Sequence, residues 1–149
     1  MSVKALTLPA SAKINWSLRV LGKRADGYHE VDTLLQTICL HDTVSFSVTE
    51  APGIALSCDD RSIPSNERNL AWRAAAALQE RHHVKSGVRI RLEKRIPAQA
   101  GLGGGSSDAA VTLIALAHLW ELEITGNELL EIAGKLGELA LGDRLDVHG

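Results

Sequence analysis

Apolar and polar residues alternate along much of the chain with a spacing of two, which is typical of β-strands. We predict strands in the segments with this pattern: Val3–Leu8, Ala12–Val20, Val31–Leu40, Thr43–Val48, Ile54–Ser57 and Gly87–Lys94. Pro9 and Ala10 separate the first two strands in this interpretation, and His41 with Asp42 forms a tight connection between the next two. The chain therefore opens with antiparallel strands, and Ile54–Ser57 is expected to pair with them.

Other segments repeat their apolar residues at the spacing of a helix. Asp59–Arg68 is predicted as a loop, after which Asn69 caps a helix that runs from Leu70 to about His82. Two further helices are predicted at residues 106–120 and 127–140. Strands that come first in a run, followed by helices, indicate the α+β class.

The composition narrows the class of protein. The 149 residues have the length of one domain, and 45% of them are hydrophobic, which is ample for a buried core. A net charge of −2, without a basic run, gives no reason to expect nucleic acid or a membrane surface as a partner. No leader or membrane-length apolar stretch is visible, so we expect a cytoplasmic protein.

Two cysteines, Cys39 and Cys58, stand far apart and without the spacing of metal ligands. We expect reduced thiols and no disulfide. Cys39 lies in an apolar strand and is predicted to be part of the core.

A glycine-rich loop between the last predicted strand and the next helix carries the clearest chemical signal. Gly101, Gly103, Gly104 and Gly105 lack a Cβ, so the backbone can adopt positive φ angles and approach an anion closely. Ser106 and Ser107 suit the first turn of the helix, whose free N–H groups and positive dipole end favour phosphate.

The loop matches neither common nucleotide signature. A Walker A loop requires lysine after its last glycine, whereas Ser106 follows Gly105. A dinucleotide fingerprint starting at Gly101 would need glycine at position 106. A flexible linker is the alternative interpretation, but the position of the loop between a strand and a helix favours phosphate binding.

A cationic residue occurs on the polar face of the second predicted strand. Ala12, Ile14 and Trp16 share one face of this strand, while Lys13 and Asn15 lie with Ser17 on the other. Lys13 could neutralise a phosphoryl group in transfer or assist deprotonation of an acceptor hydroxyl. On the strand pattern alone, an ordinary exposed lysine is the competing interpretation.

A turn at Asp26–Glu30 places Tyr28 next to His29. An aromatic ring and an imidazole can stack on a nucleobase and bond its edge, although a hairpin with a surface Tyr-His pair explains the segment equally well. His82 and His83 are adjacent on a helix and do not face the same way, so we assign them no metal.

Taken together, Ala12–Asn15, Gly22–His29 and Pro97–Ala109 resemble the motifs of the GHMP small-molecule kinases. The resemblance runs from about residue 8 to residue 137. It implies the N-terminal ATP-binding domain of these kinases over residues 1–149, with a fold like domain 2 of ribosomal protein S5. That fold is a mixed, mainly antiparallel sheet with helices packed on one face.

The resemblance also implies an activity and a set of roles. Gly22–His29 is most similar to family members that use ATP, with Mg²⁺, to phosphorylate a hydroxyl of a cytidine diphosphate-linked methylerythritol. Lys13 would be catalytic, and Asn15, Tyr28 and His29 would bind the substrate; no metal ligand is implied in the chain. The residues that would bind the ATP phosphates are Pro97, Ala98, Gln99, Ala100, Gly101, Leu102, Gly103, Gly104, Gly105, Ser106 and Ser107.

The resemblance ends near the C-terminus. Family members continue with a Gly-x-Asp-Val-Pro motif, whose aspartate is the base on the acceptor, and then with a second domain. Residues 141–149 lack that motif, so Asp143 is the nearest candidate base and Asp146 the second, and we expect the C-terminal GHMP domain to be absent. Two alternatives stay open, a non-catalytic nucleotide-binding fragment and another GHMP kinase acting on mevalonate, homoserine or a sugar.

Overall fold

A computed structural model describes residues 4–27, 29–98 and 100–145. Its elements are, in chain order, β1 (Ala5–Lys23), β2 (His29–Thr49), β3 (Ile54–Cys58), α1 (Leu70–His82), β4 (Gly87–Glu93), α2 (Gly104–Leu119) and α3 (Gly126–Leu145). The predicted α+β class is confirmed. Within the described ranges, no helix combines the length and the apolar character needed to cross a membrane.

The four strands form one mixed sheet in the order β1-β2-β4-β3. β1 pairs with β2 and β2 with β4, both antiparallel, while β3 runs parallel to β4. The expectation that Ile54–Ser57 pairs with the opening strands is therefore wrong. Parallel neighbours need a crossover connection, and α1 supplies it between β3 and β4.

Both predicted breaks in the opening strands are also wrong, because β1 and β2 are each continuous. Pro9 lies within β1 opposite Thr43. β1 is an edge strand of the sheet, where a missing N–H need not cost a ladder hydrogen bond. Ala10 lies opposite Asp42, so the His41–Asp42 segment is also part of a strand and makes no turn.

Helices α1 and α2 cover one face of the sheet, and their apolar residues meet those of β2 and β4 in a single core. The largest fully buried apolar side chains are Phe46, Leu78, Ile90, Leu92, Leu116, Val44 and Val88. The predicted cap of α1 is confirmed, since the Asn69 side chain accepts a hydrogen bond of 2.9 Å from the N–H of Ala71. The start of this helix is thus determined by its local sequence.

Helix α3 contributes Ile132 and Leu136 to the core, and charged side chains also connect it to α1. The Nε2 atom of His82 lies 3.0 Å from Oε1 of Glu128, and the same carboxylate oxygen accepts a 2.8 Å contact from Arg81 Nε. His83 ends α1 with a left-handed φ of 52°, so the two histidines diverge. In the described part of the chain, no three His, Cys, Asp or Glu side chains converge as a metal site would require.

The paired strands β1 and β2 extend beyond the helices as a ribbon. We call residues 5–12 with 41–49 the basal half of this ribbon and residues 13–23 with 29–40 its distal half. Exposed leucines occur in the distal half at Leu21, Leu34, Leu35 and Leu40. Cys39 is exposed there as well, so its predicted place in the core is wrong: the helices that form the core lie over the basal half.

Candidate functional site

The glycine loop has the backbone conformation that its sequence predicts. Gly101 and Gly103 have φ angles of 75° and 72°, which lie in the left-handed region that favours glycine. Gly103 caps α2 without a side-chain hydrogen bond, and the helix begins at Gly104, two residues before the predicted start at 106. The end of the loop therefore becomes the first turn of the helix, with its N–H groups available to a ligand.

The same loop lies very close to two lysine side chains. A Cβ on Gly103 would stand 3.1 Å from Cε of Lys13. A Cβ on Gly104 would stand 3.0 Å from Cγ2 of Ile96 and 3.4 Å from Nζ of Lys94. Side chains at these positions would push against their neighbours, so the glycines permit the close packing of the loop between the two lysines.

Lys13 reaches the loop from β1. Its Nζ atom donates a hydrogen bond of 2.8 Å to the carbonyl oxygen of Gly101 and lies 3.4 Å from Oδ1 of Asn15. Its backbone N–H donates to the carbonyl oxygen of Leu102 over 3.0 Å. The structure thus brings Lys13 and Asn15, which are neighbours on β1, to the glycine loop, which is far from them in the sequence.

Three further side chains, which the sequence analysis did not select, meet beside the loop. We refer to Lys94, Asp42 and Asp108 as the Lys94 cluster. Lys94 Nζ lies 2.6 Å from Oδ2 of Asp42 and 2.8 Å from Oδ2 of Asp108. The side chains of Lys94, Asp42 and Asp108 are 8%, 0% and 4% exposed, so this is a buried ion cluster with two carboxylates for one ammonium.

Burial and pairing act differently on the two carboxylates. Burial, followed by the nearby Asp42, raises the pKa of Asp108 to about 7 against the opposing effect of Lys94. Burial also works to raise the pKa of Asp42, but hydrogen bonds with Asp108, with Lys94 and with two backbone N–H groups outweigh it and hold this pKa below its ordinary value. The pKa of Lys94 is raised, because its two carboxylate partners outweigh its desolvation.

An open cleft of about 670 Å³ lies alongside the loop, large enough for a nucleotide-sized ligand. Its lining residues come from β1, the loop before α1, the end of β4, the glycine loop with the start of α2, and α3. They are Lys13, Ile63, Pro64, Arg68, Asn69, Leu70, Lys94, Pro97, Ala98, Ala100, Gly101, Leu102, Gly103, Gly104, Gly105, Ser106, Asp108, Gly134 and Gly137.

Most of the remaining predicted site residues are distant from Lys13 along the ribbon or have side chains outside the described part of the chain. His29 begins β2 opposite Lys23, ten residues beyond Lys13 along β1, and register shifts interrupt the ladder between them. Asp143 falls within the backbone of α3, and its side chain lies outside the described part, as does that of His29. Tyr28, Gln99 and Asp146 lie wholly outside the described residues. Ser107 continues the first turn of α2, where its N–H donates to the Gly103 carbonyl oxygen over 2.9 Å.

The Lys94 cluster had only weak signals in the sequence. Lys94 is the last residue of an alternating strand, and Asp108 follows the two serines of the glycine loop. Asp42 was assigned to a turn because it stands between two strand-like segments. A charged residue inside a continuous strand pattern is the signal that could have identified it, since buried charges are paired.

Comparison with protein families gives one match. The GHMP kinases N terminal domain matches residues 69–147, a range that includes the end of β4, the glycine loop and α2. This matched range therefore contains the loop, Lys94 and Asp108, while Lys13 and Asp42 precede it.

Two curated relatives are similar over most of the chain. The 4-diphosphocytidyl-2-C-methyl-D-erythritol kinase of Citrifermentans bemidjiense is 45% identical over 135 residues, which are 91% of this chain and 48% of that protein. The kinase of the same name from Bacillus cytotoxicus is 48% identical over 132 residues, 89% of this chain and 46% of that protein. The chain spans about half the length of the curated relatives it matches.

Solved structures give the same result for the fold. The crystal structure of a 4-(cytidine 5'-diphospho)-2C-methyl-D-erythritol kinase superposes with a TM-score of 0.75 at 41% identity, covering 88% of this chain and 46% of that one. Homoserine kinase from Cytophaga hutchinsonii superposes with a TM-score of 0.72 at 22% identity, covering 93% of this chain and 42% of that one. At that lower identity, the second match establishes a shared fold only.

Proposed function

Because this chain belongs to the GHMP kinase family, we propose that it binds ATP at the glycine loop and supports transfer of the γ-phosphoryl group to a hydroxyl of 4-diphosphocytidyl-2-C-methyl-D-erythritol. The observation that carries this proposal is the contact of Lys13 Nζ with the Gly101 carbonyl oxygen at 2.8 Å. A cation from β1 thus lies beside the glycine loop, which supports phosphate binding there. The substrate is that of the named relatives at 45% and 48% identity.

The proposed binding of ATP is supported by the glycine loop and by the start of α2. Backbone N–H groups at the start of α2, together with the positive end of its dipole, favour the phosphates. Of the residues proposed to bind them, those from Pro97 to Ser106 border the cleft apart from Gln99, and Ser107 follows in the same turn of α2, where its N–H is already bonded to the Gly103 carbonyl oxygen. We therefore assign Pro97–Ser107 to ATP and residues 1–149 to an N-terminal ATP-binding domain.

Mg²⁺ fits this site as a partner of the nucleotide. Mg²⁺ usually keeps several waters and is held through substrate phosphates with one or two carboxylates, so it does not need a dedicated cage of protein ligands. The described residues contain no such cage. When bound with ATP, the ion would neutralise part of the phosphate charge.

Lys13 is the catalytic residue in this proposal. In the reaction, the bond between the γ-phosphorus and the β,γ-bridging oxygen breaks, a bond from the acceptor oxygen to phosphorus forms, and the acceptor hydroxyl loses its proton. A lysine ammonium beside the loop stabilises the charge on the phosphoryl oxygens during this step. Asp143 is our candidate for the base that receives the proton.

The acceptor substrate would lie along the distal half of the ribbon. Asn15, which shares a contact with Lys13, would position the reacting end. Tyr28 and His29 would hold the cytosine near the turn at the far end of the ribbon. The separation of Lys13 from His29 along the strands suits a long substrate with its reacting hydroxyl and its base at opposite ends.

The test is an assay of ADP release with ATP, Mg²⁺ and 4-diphosphocytidyl-2-C-methyl-D-erythritol, in which Lys13→Ala is compared with Lys85→Ala. Lys85 is an exposed lysine that does not line the cleft. We expect Lys13→Ala to lower turnover on the order of a thousandfold, because it removes charge stabilisation of the transferring group. Equal turnover in the two variants would remove Lys13 from the mechanism.

A second candidate function is nucleotide binding without transfer. It is favoured because the residues proposed to bind ATP border a cleft of this chain, which covers about half the length of its relatives. Calorimetry with a non-hydrolysable ATP analogue, run beside the ADP assay, separates the two candidates. Binding without substrate-dependent ADP release supports the second function, while such release supports the first. Failure of cytidine diphosphate to compete would point to a GHMP kinase with another acceptor.

A further inference from the structure

The Lys94 cluster connects the two ends of the glycine loop. The loop leaves the sheet after β4, where the Oδ1 atom of Asp42 accepts hydrogen bonds from the N–H groups of Arg95 at 2.7 Å and Ile96 at 2.9 Å. It ends in α2, where Asp108 holds Lys94 Nζ at 2.8 Å. Since Lys94 also contacts Asp42 at 2.6 Å, a single ammonium group links both ends of the loop to β2.

We propose that the Lys94 cluster is a clamp that positions the two ends of the glycine loop relative to each other, so that the loop has its phosphate-binding shape before the nucleotide arrives. This inference rests on the proposed binding of ATP. Lys94, Asp42 and Asp108 are positioning residues in it, and they act through the backbone of the loop.

The composition of the loop explains why a clamp is needed. Glycine loses more backbone freedom on ordering than any other residue, and this loop contains four glycines between residues 101 and 105. A free loop of this kind would have to be ordered by the phosphates, which weakens binding. Fixing both ends in the folded protein moves that cost from the binding step to the folding step.

A second observation separates this role from simple stabilisation of the fold. The Oδ1 atom of Asp108 is buried and lacks a hydrogen-bond partner within the described residues, although both Asp108 and Lys94 border the cleft. Buried polar groups are ordinarily satisfied, and buried ion clusters can often be replaced by apolar side chains without loss of stability. A carboxylate with one unsatisfied oxygen, retained at the edge of the cleft, is better explained by a task at the loop.

The charge of Asp108 adds a signature that can be measured. Lys94, directly after β4, and Asp42, on β2, are the charged groups that act on it, and its pKa is about 7. Asp108 is therefore neutral below that pH and negative above it. A negative carboxylate next to the phosphates opposes their binding, so ATP affinity is expected to fall as the pH rises from 6 to 8.

The experiment compares Asp108→Ala with Asp108→Asn in the full chain. Lys94→Met would leave two buried carboxylates without a cation, so it is a poorer test of positioning. The first measurement is amide hydrogen exchange over residues 95–107 without nucleotide, with α1 as the internal reference. The second is the dissociation constant of Mg²⁺-ATP by calorimetry at several pH values.

We expect Asp108→Ala to accelerate exchange in the loop but not in α1, and to weaken ATP binding on the order of tenfold. Asp108→Asn should keep loop exchange and ATP affinity close to those of the wild type, because its amide oxygen can accept the hydrogen bond from Lys94. The asparagine variant should also lose the pH dependence between 6 and 8.

Unchanged loop exchange in Asp108→Ala would overturn the clamp, as would equal acceleration in the loop and in α1. The exchange measurement needs no nucleotide, so it decides the clamp even if the wild-type chain does not bind ATP. In that case, the absence of binding would count against the proposed function alone.

Discussion

The basal and distal halves of the β1–β2 ribbon share one antiparallel ladder but differ in what covers them. In the basal half, Ala10, Val44 and Phe46 are at most 2% exposed because α1 and α2 pack over them. In the distal half, Leu34 and Leu35 are 62% and 56% exposed. Backbone pairing alone is therefore enough to continue a strand, while packing decides which part of it stabilises the fold.

The candidate site lies where one half of the ribbon passes into the other. Lys13 is the first residue of the distal half on β1, and Asp42 stands near the corresponding boundary on β2. A register shift between Ser11 and Lys13 marks the same place, and such irregularities re-aim side chains next to functional sites. The buried basal half thus carries Asp42, which bonds the start of the loop, and the exposed distal half leaves room for a ligand.

The substitution with the largest expected effect on stability lies in the basal half of the ribbon. Phe46→Ala removes a fully enclosed ring and leaves a cavity, so it should lower the free energy of unfolding by about 3–5 kcal/mol. Urea denaturation measures this change. Phe46→Leu is the matched control and should cost far less, because it retains most of the apolar volume. Equal losses in both variants would mean that volume at this position is unimportant.

The Lys94 cluster, which lies beside the boundary between the two halves, should make the stability of the chain depend on pH. The pKa of Asp108 is raised in the folded chain from 3.8 to about 7, so between these values the folded state binds a proton that the unfolded state lacks. This group therefore makes the fold less stable as the pH rises from about 4 to about 7, by roughly 4 kcal/mol, and the cost is complete above that range.

Asp108→Asn should remove this pH dependence. Denaturation at pH 5 and pH 8 for wild type and variant gives the answer directly. A wild-type slope that survives in the variant would assign the effect to another group.

A smaller loss of stability is expected from a substitution in the glycine loop. Gly103→Ala forces a Cβ into a left-handed conformation and toward Lys13 Cε, which should cost about 1–2 kcal/mol. Gly134→Ala is the control, because Gly134 lies within α3 with no atom within 4 Å of an added Cβ. It should stabilise the chain by about 0.5–1 kcal/mol. Thermal unfolding that ranks the two variants the other way would contradict the geometry of the loop.

The smallest change in stability is expected from a substitution in the distal half of the ribbon. Leu35→Thr exchanges an exposed leucine for a residue that also favours strands, so it should change stability by less than about 0.5 kcal/mol. The same urea titration used for Phe46→Ala provides the comparison. A loss approaching that of Phe46→Ala would show that the distal half is covered in solution and would end the contrast between the two halves.

Local signals in the sequence were sufficient for much of the fold. The Asn69 cap, helix α1 and strand β4 are found where the sequence predicted them. Each depends on residues close together in the chain, namely a capping side chain, a helical repeat or an alternation. The glycine loop is of the same kind, since its left-handed residues follow from glycine alone.

The errors and omissions concern residues that meet only in the folded chain. Whether Pro9 interrupts a strand depends on that strand being at an edge, and the partner of β3 depends on where α1 returns the chain. The Lys94 cluster joins β2, the end of β4 and α2, and no short motif describes it. Sequence reasoning thus found the loop that would contact the ligand but not the buried charges that support it.

The central position of β4 has a consequence for synthesis of the chain. In the order β1-β2-β4-β3, a nascent chain that ends before Gly87 lacks the strand between β2 and β3, so the edges of β2 and β3 that face β4 in the complete sheet are both unpaired. Insertion of β4 closes both edges at once and brings Lys94, the next residue, to Asp42. Pairing of β4 with both neighbours and assembly of the Lys94 cluster would then be a single event. A chain that lacks this pairing could aggregate through the unpaired edges and would also lack the contacts that hold the glycine loop.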